Sequence, residues 1–191
     1  MSDAGRPTET VVLDAALAEV LEHGVRRTSV SDIARRSGVS RQTIYRYWPD
    51  AQALFAALVT RELLATVPPV AEVDTLDELV ALIAATAEAV RRLPIIDRLR
   101  NSDPELFSRY ILERLGTSQR AILVDLTVRL RAGQHAGFVR PADPARLAAM
   151  VLLIAQSAIQ SAPLVAEWLD GRAWRDELRR ALTGYLRADA G

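Results

Sequence analysis

From Ser40 to Tyr47 the chain reads SRQTIYRY. On a helix, Ile44 turns inward while Ser40, Arg41, Gln42, Thr43, Arg46 and Tyr47 occupy the outward face. Arginine pairs through two N–H groups with guanine, glutamine pairs with adenine, and a threonine methyl touches the methyl of thymine. A serine N-cap followed by open backbone amides suits a phosphate oxygen. The chemistry these residue types support is hydrogen bonding to phosphates and base edges. Few of them would be useful in a core.

The residues just before them supply a mount. Ser29 is an N-cap and Asp32, three residues on, complements the positive end of a short helix that closes near Ser37. Val30, Ile33 and Ala34 face inward, and the small Ala34 lets a second helix approach closely. Gly38 takes the positive φ of a tight turn without steric cost. Val39 and Ile44 then hold the following helix from beneath. Two short helices joined by a glycine-containing turn form the helix-turn-helix pattern. Charge agrees locally: Arg26, Arg27, Arg35, Arg36, Arg41 and Arg46 lie between Gly24 and Trp48 against the single acid Asp32, although the whole chain has a formal net charge of zero.

Other chemistry is poorly supplied. The 191 residues contain no cysteine, so disulfides, thiolate metal sites and a cysteine nucleophile are excluded, and the two histidines, His23 and His135, are poorly placed for catalysis. No metal-spaced cluster occurs, and neither a catalytic residue nor a cofactor nor a metal is expected. Every basic residue is arginine, which reads as codon bias and carries no functional weight. The amino-terminal ten residues lack the apolar stretch of a signal peptide, and the longest apolar run, Leu147 to Ala155, is about half a membrane span. A soluble cytoplasmic protein is expected. Half the residues are hydrophobic, enough for a sizeable core.

The apolar period is helical throughout, so an all-α fold without a sheet is expected. The first helix should run from about Thr8 to His23, closed by Gly24, with Val12, Leu13, Ala16, Leu17 and Val20 as its apolar stripe. A fourth helix should run from Ala51 to about Thr66, after Asp50 as cap and before Pro68 and Pro69. Longer helices follow over roughly Thr75–Leu93, Pro94–Asn101, Pro104–Leu115, Ser118–His135, Pro144–Ala162 and Trp174–Arg187. Asp103–Pro104 and Asp143–Pro144 each place a cap before a proline at the first helical position. Functionally this divides the chain into a DNA-binding head over 1–50 and a body over 51–191, with 51–66 as the connecting helix.

The stretch GVRRTSVSDIARRSGVSRQTIYRYWPDAQAL resembles the head of TetR-family (tetracycline-repressor-like) regulators. The matching pieces are Asp32-Ile33-Ala34, Gly38-Val39-Ser40 and Thr43-Ile44-Tyr45 with the aromatic pair and capped helix that follow. The resemblance covers roughly Val11 to Leu58; the rest is similar only in length and helical pattern. It implies a ligand-responsive repressor that binds palindromic double-stranded operator DNA as a homodimer. It implies DNA contacts from Arg41, Gln42, Thr43 and Tyr47, and a base contact from Ser31 near the start of the second helix. Tyr45 falls where the ring packs while the hydroxyl often reaches phosphate; packing alone is the equal alternative. Many members carry a lysine where this chain has Ala51, so one phosphate contact is lost, and Arg46 or the Arg26–Arg27 pair stands ready to replace it.

In such proteins the last two long helices of each subunit form the dimer interface. Pro144–Ala162 is apolar almost all round and should be shared between core and interface, with Leu178, Leu182 and Leu186 on its partner helix. Polar residues within apolar helices are the candidates for orienting an effector: Thr86, Tyr110, Gln156 and Gln160, with Trp168 as a wall. Each has an ordinary structural role as its alternative, and His135 is a weaker candidate near a helix end. The pattern places few charges for burial in the body, so a small, largely apolar or neutral effector is expected. An all-helical enzyme and a protein-binding scaffold are the rival readings; the first lacks catalytic groups and the second leaves the Arg–Gln–Thr–Tyr face unexplained.

Overall fold

The computed structural model describes residues 7–68, 73–102 and 116–188. Tyr110, and the helix expected over Pro104–Leu115 with its Asp103 cap, lie outside the described residues. Among the described residues the secondary structure is helical: α1 Thr8–His23, α2 Val30–Ser37, α3 Arg41–Tyr47, α4 Ala51–Leu64, α5 Leu76–Arg91, α6 Pro94–Ser102, α7 Thr117–His135, α8 Pro144–Ser161 and α9 Gly171–Leu186. The β-type pairing described is an isolated bridge between Val139 and Arg187.

Local chemistry explains most of these bounds. Ser29 accepts from the Asp32 amide while the Asp32 carboxylate accepts from the Ser29 amide, both at 3.2 Å, a reciprocal capping box that opens α2. Gly38 closes α2 in the left-handed region at φ 70°. Thr75 and Glu78 form a second capping box at α5. Asp143 accepts from the amides of Ala145 and Arg146 with Pro144 at the first position of α8. The last helix begins three residues before the expected Trp174, because Asp170 accepts from the amides of Arg172 and Ala173 at 2.9 and 2.8 Å and so draws Gly171 into the helix.

The chain forms two compact units. The first comprises the described residues within Met1–Leu63 and Leu93–Gly116. Its core joins Val12, Ala16 and Val20 of α1 to Ile33 of α2, Ile44 of α3, Leu54 and Leu58 of α4, and Ile95 and Leu99 of α6. A segment far along the chain is thus built into the same core as the short amino-terminal helices.

The second unit comprises the described residues within Leu64–Arg92 and Thr117–Gly191. Its core gathers Leu79 and Ile83 of α5, Leu126 and Leu130 of α7, Leu147 and Val151 of α8, and Trp174, Leu178, Leu182 and Leu186 of α9. Gly133 of α7 sits where Phe138 and Val139 fold back; a Cβ there would lie 2.6 Å from both side chains.

The distribution of apolar surface in this unit is uneven. On α8 only Leu147, Ala148 and Val151 are buried, whereas Met150 and Leu153 are 43% and 58% exposed. Exposed Val124 and Val128 lie on α7, and exposed Leu164 and Trp168 follow α8. α8 is therefore packed on several sides, as expected, and beyond its first turn leaves open one stripe through Met150, Leu153, Ser157 and Ser161. On α9 the reverse holds: Leu178, Leu182 and Leu186 are all buried in their own unit, and Arg172, Asp176, Glu177 and Arg180 face solvent. By length and composition, 144–165 is also apolar enough to cross a membrane (mean hydropathy 1.6). Here it packs against α5, α7 and α9.

Candidate nucleic-acid interface

α3 has seven residues, too few to hold a helix alone, so its position depends on its ends and one buried side chain. Ile44 is 1% exposed and fixes the inner face in the first core. At the amino end, the Ser40 hydroxyl accepts from the Thr43 amide at 3.1 Å and lies 3.0 Å from Thr43 Oγ1. At the other end Trp48 is buried, and its amide donates to the Ile44 carbonyl at 2.9 Å.

Everything else on α3 faces outward. Arg41, Gln42, Tyr45, Arg46 and Tyr47 are exposed, as are Ser40 and Ser31, while Thr43 is half-buried. Tyr45 and Tyr47 leave 48% and 40% of their surface open, unusual for aromatic side chains beside an apolar core. The Arg46 guanidinium stands 5.5 Å from the Tyr47 ring centroid. Arg41 Nη1 donates to Ser31 Oγ at 3.4 Å, which ties the start of α3 to the start of α2. All the expected DNA contacts from Ser31 to Tyr47 thus belong to one exposed helix pair, and the inward residue is the apolar one.

The basic stripe divides into committed and open groups. Arg36 donates through Nε to Glu19 at 2.8 Å and through Nη2 to Glu22, and Glu19 is nearly fully buried. These bonds raise the Arg36 pKa and pull that of Glu22 down, so both stay charged. Arg36 is a bracket between α2 and α1, which the sequence reading did not separate from the other arginines. Arg35 pairs with Asp32 at 2.9 Å, and Arg27 donates to the His23 carbonyl at 2.9 Å. The Ser29 hydroxyl and amide hold Asp32 below the ordinary aspartate range, so the capping box keeps its charge. His23 stands 3.6 Å from both Glu19 and Glu22 on the surface of α1.

The residues proposed for an effector are less unified. Thr86 is half-buried and its hydroxyl donates to the Leu82 carbonyl of its own helix at 2.9 Å. Gln156 accepts from Gln119 at 3.0 Å, linking α8 to α7. Gln160 carries a buried amide nitrogen with no acceptor. Trp168 is 72% exposed, and His135 is exposed at the end of α7. Two buried charges were missed. Glu88 of α5 pairs with Arg92 at 2.7 Å and Arg175 at 2.9 Å, and Arg129 of α7 pairs with Asp125 at 2.7 Å. The available signal was the four-residue spacing of Glu88–Arg92 and Asp125–Arg129. Among the described residues no group of three or more His, Asp or Glu is arranged to hold a metal ion.

Residues 12–58 match the family model for bacterial regulatory proteins of the tetR family. The chain is 44% identical over 189 residues to the HTH-type transcriptional regulator Rv2250c of Mycobacterium tuberculosis, covering 97% of this chain and 98% of that one. It belongs to the TetR family of bacterial regulators. Among solved structures, this TetR-family regulator is similar to the fatty acid degradation regulator FadR from Bacillus halodurans, with a TM-score of 0.60, 25% identity and coverage of 96% and 98%. The fold is also shared with SmeT, the repressor of a Stenotrophomonas maltophilia multidrug efflux pump, in its triclosan complex: TM-score 0.63, 24% identity, coverage of 97% and 94%. The all-α architecture with an amino-terminal helix-turn-helix and a carboxy-terminal helical bundle is that of the family. TetR-family proteins are regulators rather than enzymes, and this one is a helix-turn-helix transcriptional regulator.

Proposed function

We propose that this TetR-family protein is a cytoplasmic repressor that binds a palindromic operator as a homodimer and leaves it when a small, largely apolar molecule occupies its body. The exposed polar face of α3 over a single apolar anchor, Ile44, carries the reading. In this scheme α3 enters a major groove. Arg41, Gln42, Thr43 and Tyr47 reach base edges and nearby phosphates, Ser31 adds a contact from α2, and Ser40, Tyr45 and Arg46 hold the backbone. The head is 1–50, the body 51–191, and 51–66 connects them.

A dimer requires a surface, and the uneven apolar face of the second unit supports one. Met150 and Leu153 of α8, with Leu164 and Trp168 beyond it, are exposed apolar residues along one segment, which pairing with its copy would cover. The interface would be built from the last two long helices, α8 and α9, with the buried leucines of α9 holding it in its own unit. Two recognition helices would then read half-sites one turn, about 34–36 Å, apart or a multiple of it.

Release is a two-state equilibrium. An effector shifts it only by its difference in affinity for the two arrangements, and a coupling of about 1–3 kcal/mol weakens operator binding roughly 5–150-fold. Thr86, Tyr110, Gln156, Gln160 and Trp168 remain the candidates for the effector site. The triclosan complex of SmeT supports a protein of this fold accepting a small organic molecule. The test is direct: replace Thr43 and Tyr47 with alanine and titrate the DNA upstream of the protein's own gene across a salt series. Loss of affinity with a steep salt dependence in the parent protein is expected; unchanged affinity defeats the groove contacts.

A further inference from the structure

The outer side of α9 carries an ordered stripe. Opposite the buried Trp174, Leu178, Leu182 and Leu186 lie Ala173, Glu177, Arg180 and Gly184, with Arg187 just past the helix end. Steps of four and three residues put these positions on one line along a helix. Glu177 and Arg180 are 52% and 77% exposed, and the 2.9 Å bond between them is an ordinary surface contact. Arg180, Gly184 and Arg187 also line an open groove of about 550 Å³, bounded on the α5 side by Asp77, which accepts from Arg179 at 2.7 Å.

Gly184 is the informative residue. Glycine weakens a helix relative to alanine, so its presence calls for a reason. Its own chain gives none: the backbone is helical, and a Cβ there would meet nothing within 4 Å. A close approach from outside the chain accounts for it.

Charge and spacing say what approaches, and in which direction. The stripe is symmetric about Leu182: Glu177 and Arg187 stand five residues to either side, Arg180 and Gly184 two. A second α9 lying antiparallel across this face sets Glu177 against the partner's Arg187, twice by symmetry. It also lays Arg180 over the partner's Gly184, where any side chain would obstruct it. A parallel arrangement instead sets Glu177, Arg180 and Arg187 each against its own copy, like charge on like throughout. A small anion held in the groove leaves Glu177, which lies outside the groove, without a part.

We propose that two copies of α9 dock antiparallel through this stripe, centred opposite Leu182, with a Glu177–Arg187 pair at each end and Gly184 as the notch for Arg180. The inference rests on the homodimer reading above. It adds the orientation and the residues that select a second copy of this chain as the partner.

Full-length parent, Glu177→Arg, Arg187→Glu and the double variant are compared by sedimentation over a concentration series, with exchange of labelled subunits for dimers too tight to dissociate. Ten residues along one helix is about 15 Å, so the two positions do not touch within a chain, and coupling between them measures contact across copies. Each single reversal should weaken the dimer about ten-fold or more, and the double swap should return it to within about three-fold of the parent. Gly184→Leu, whose side chain has open space in its own chain, should keep the helical content and also weaken the dimer about ten-fold. It keeps the test open if a charge reversal disturbs folding. A parent dimer that none of these changes weakens, or a double swap as weak as the two singles combined, overturns the pairing, leaves the homodimer reading intact and gives the groove to another occupant. A parent that sediments as a monomer overturns the homodimer reading itself, and the pairing with it.

Discussion

Arg98 of α6 donates from Nη2 to the carbonyl oxygen of Glu22 at 3.0 Å, and from Nε toward that of Val20 at 3.4 Å. Those carbonyls belong to the last turn of α1, where that of Val20 also accepts from the Gly24 amide at 2.8 Å. The guanidinium therefore closes α1 from a segment more than seventy residues away in sequence. Arg98→Ala should destabilise the first unit by about 1 kcal/mol. Amide exchange in α1 should accelerate from Val20 onward, with little change in α9. If α6 also carries the effector signal, the variant's operator affinity will respond less to an inducing ligand. A titration with and without that ligand measures both.

Arg36 is engaged by Glu19 and Glu22 of α1. Glu19→Ala removes the buried partner and leaves a cation half-exposed between α1 and α2. A loss of roughly 1–3 kcal/mol is expected, visible in chemical denaturation. Arg36→Ala should lower the denaturation midpoint and leave the slope of operator affinity against salt nearly unchanged. Arg41→Ala and Arg46→Ala should each flatten that slope by about one unit with little effect on folding. An Arg36 variant that flattens the slope without losing stability would reassign it to phosphate.

Much of the first unit could be read from sequence because its signals are local. Ser29 and Ser40 open α2 and α3 through bonds to residues three positions on, and Gly38 closes α2 in the left-handed region, so the expected and observed bounds coincide. The start of α9 was harder: Gly171 is a poor helix former, and only the two amide bonds to Asp170 show that it lies inside the helix. The inclusion of Ile95 and Leu99 in the amino-terminal core depends on tertiary packing, which no local pattern encodes. Arg129 is a similar case. Its spacing from Asp125 suggests an ordinary surface ion pair, and burial alone changes its meaning.

Ser40 has two tasks that one substitution can separate. It caps α3 by accepting from the Thr43 amide, and in the proposed operator complex it meets a phosphate. Ser40→Asp should keep the cap, since aspartate is as good an N-cap as serine, and so preserve the melting temperature. Its negative charge should lower operator affinity by at least ten-fold through repulsion from the backbone. Ser40→Ala should lose about 1 kcal/mol of stability and bind more weakly through a looser α3. Unchanged affinity for the aspartate variant would move the phosphate contact away from this helix end.

Leu153 is 58% exposed on α8, and Met150, one turn earlier, is 43% exposed. Leu153→Glu leaves the core residues Leu147 and Val151 in place, so each chain should keep its helical content. In a symmetric interface across α8, each carboxylate would be buried close to its copy without a counter-charge, at a cost of several kcal/mol. Sedimentation should report a monomer at micromolar concentrations where the parent is a dimer. Operator affinity should fall with it, because one head reads one half-site and loses the effective concentration that linkage supplies. A variant that remains dimeric would place the interface elsewhere and give the exposed apolar side of α8 to another partner.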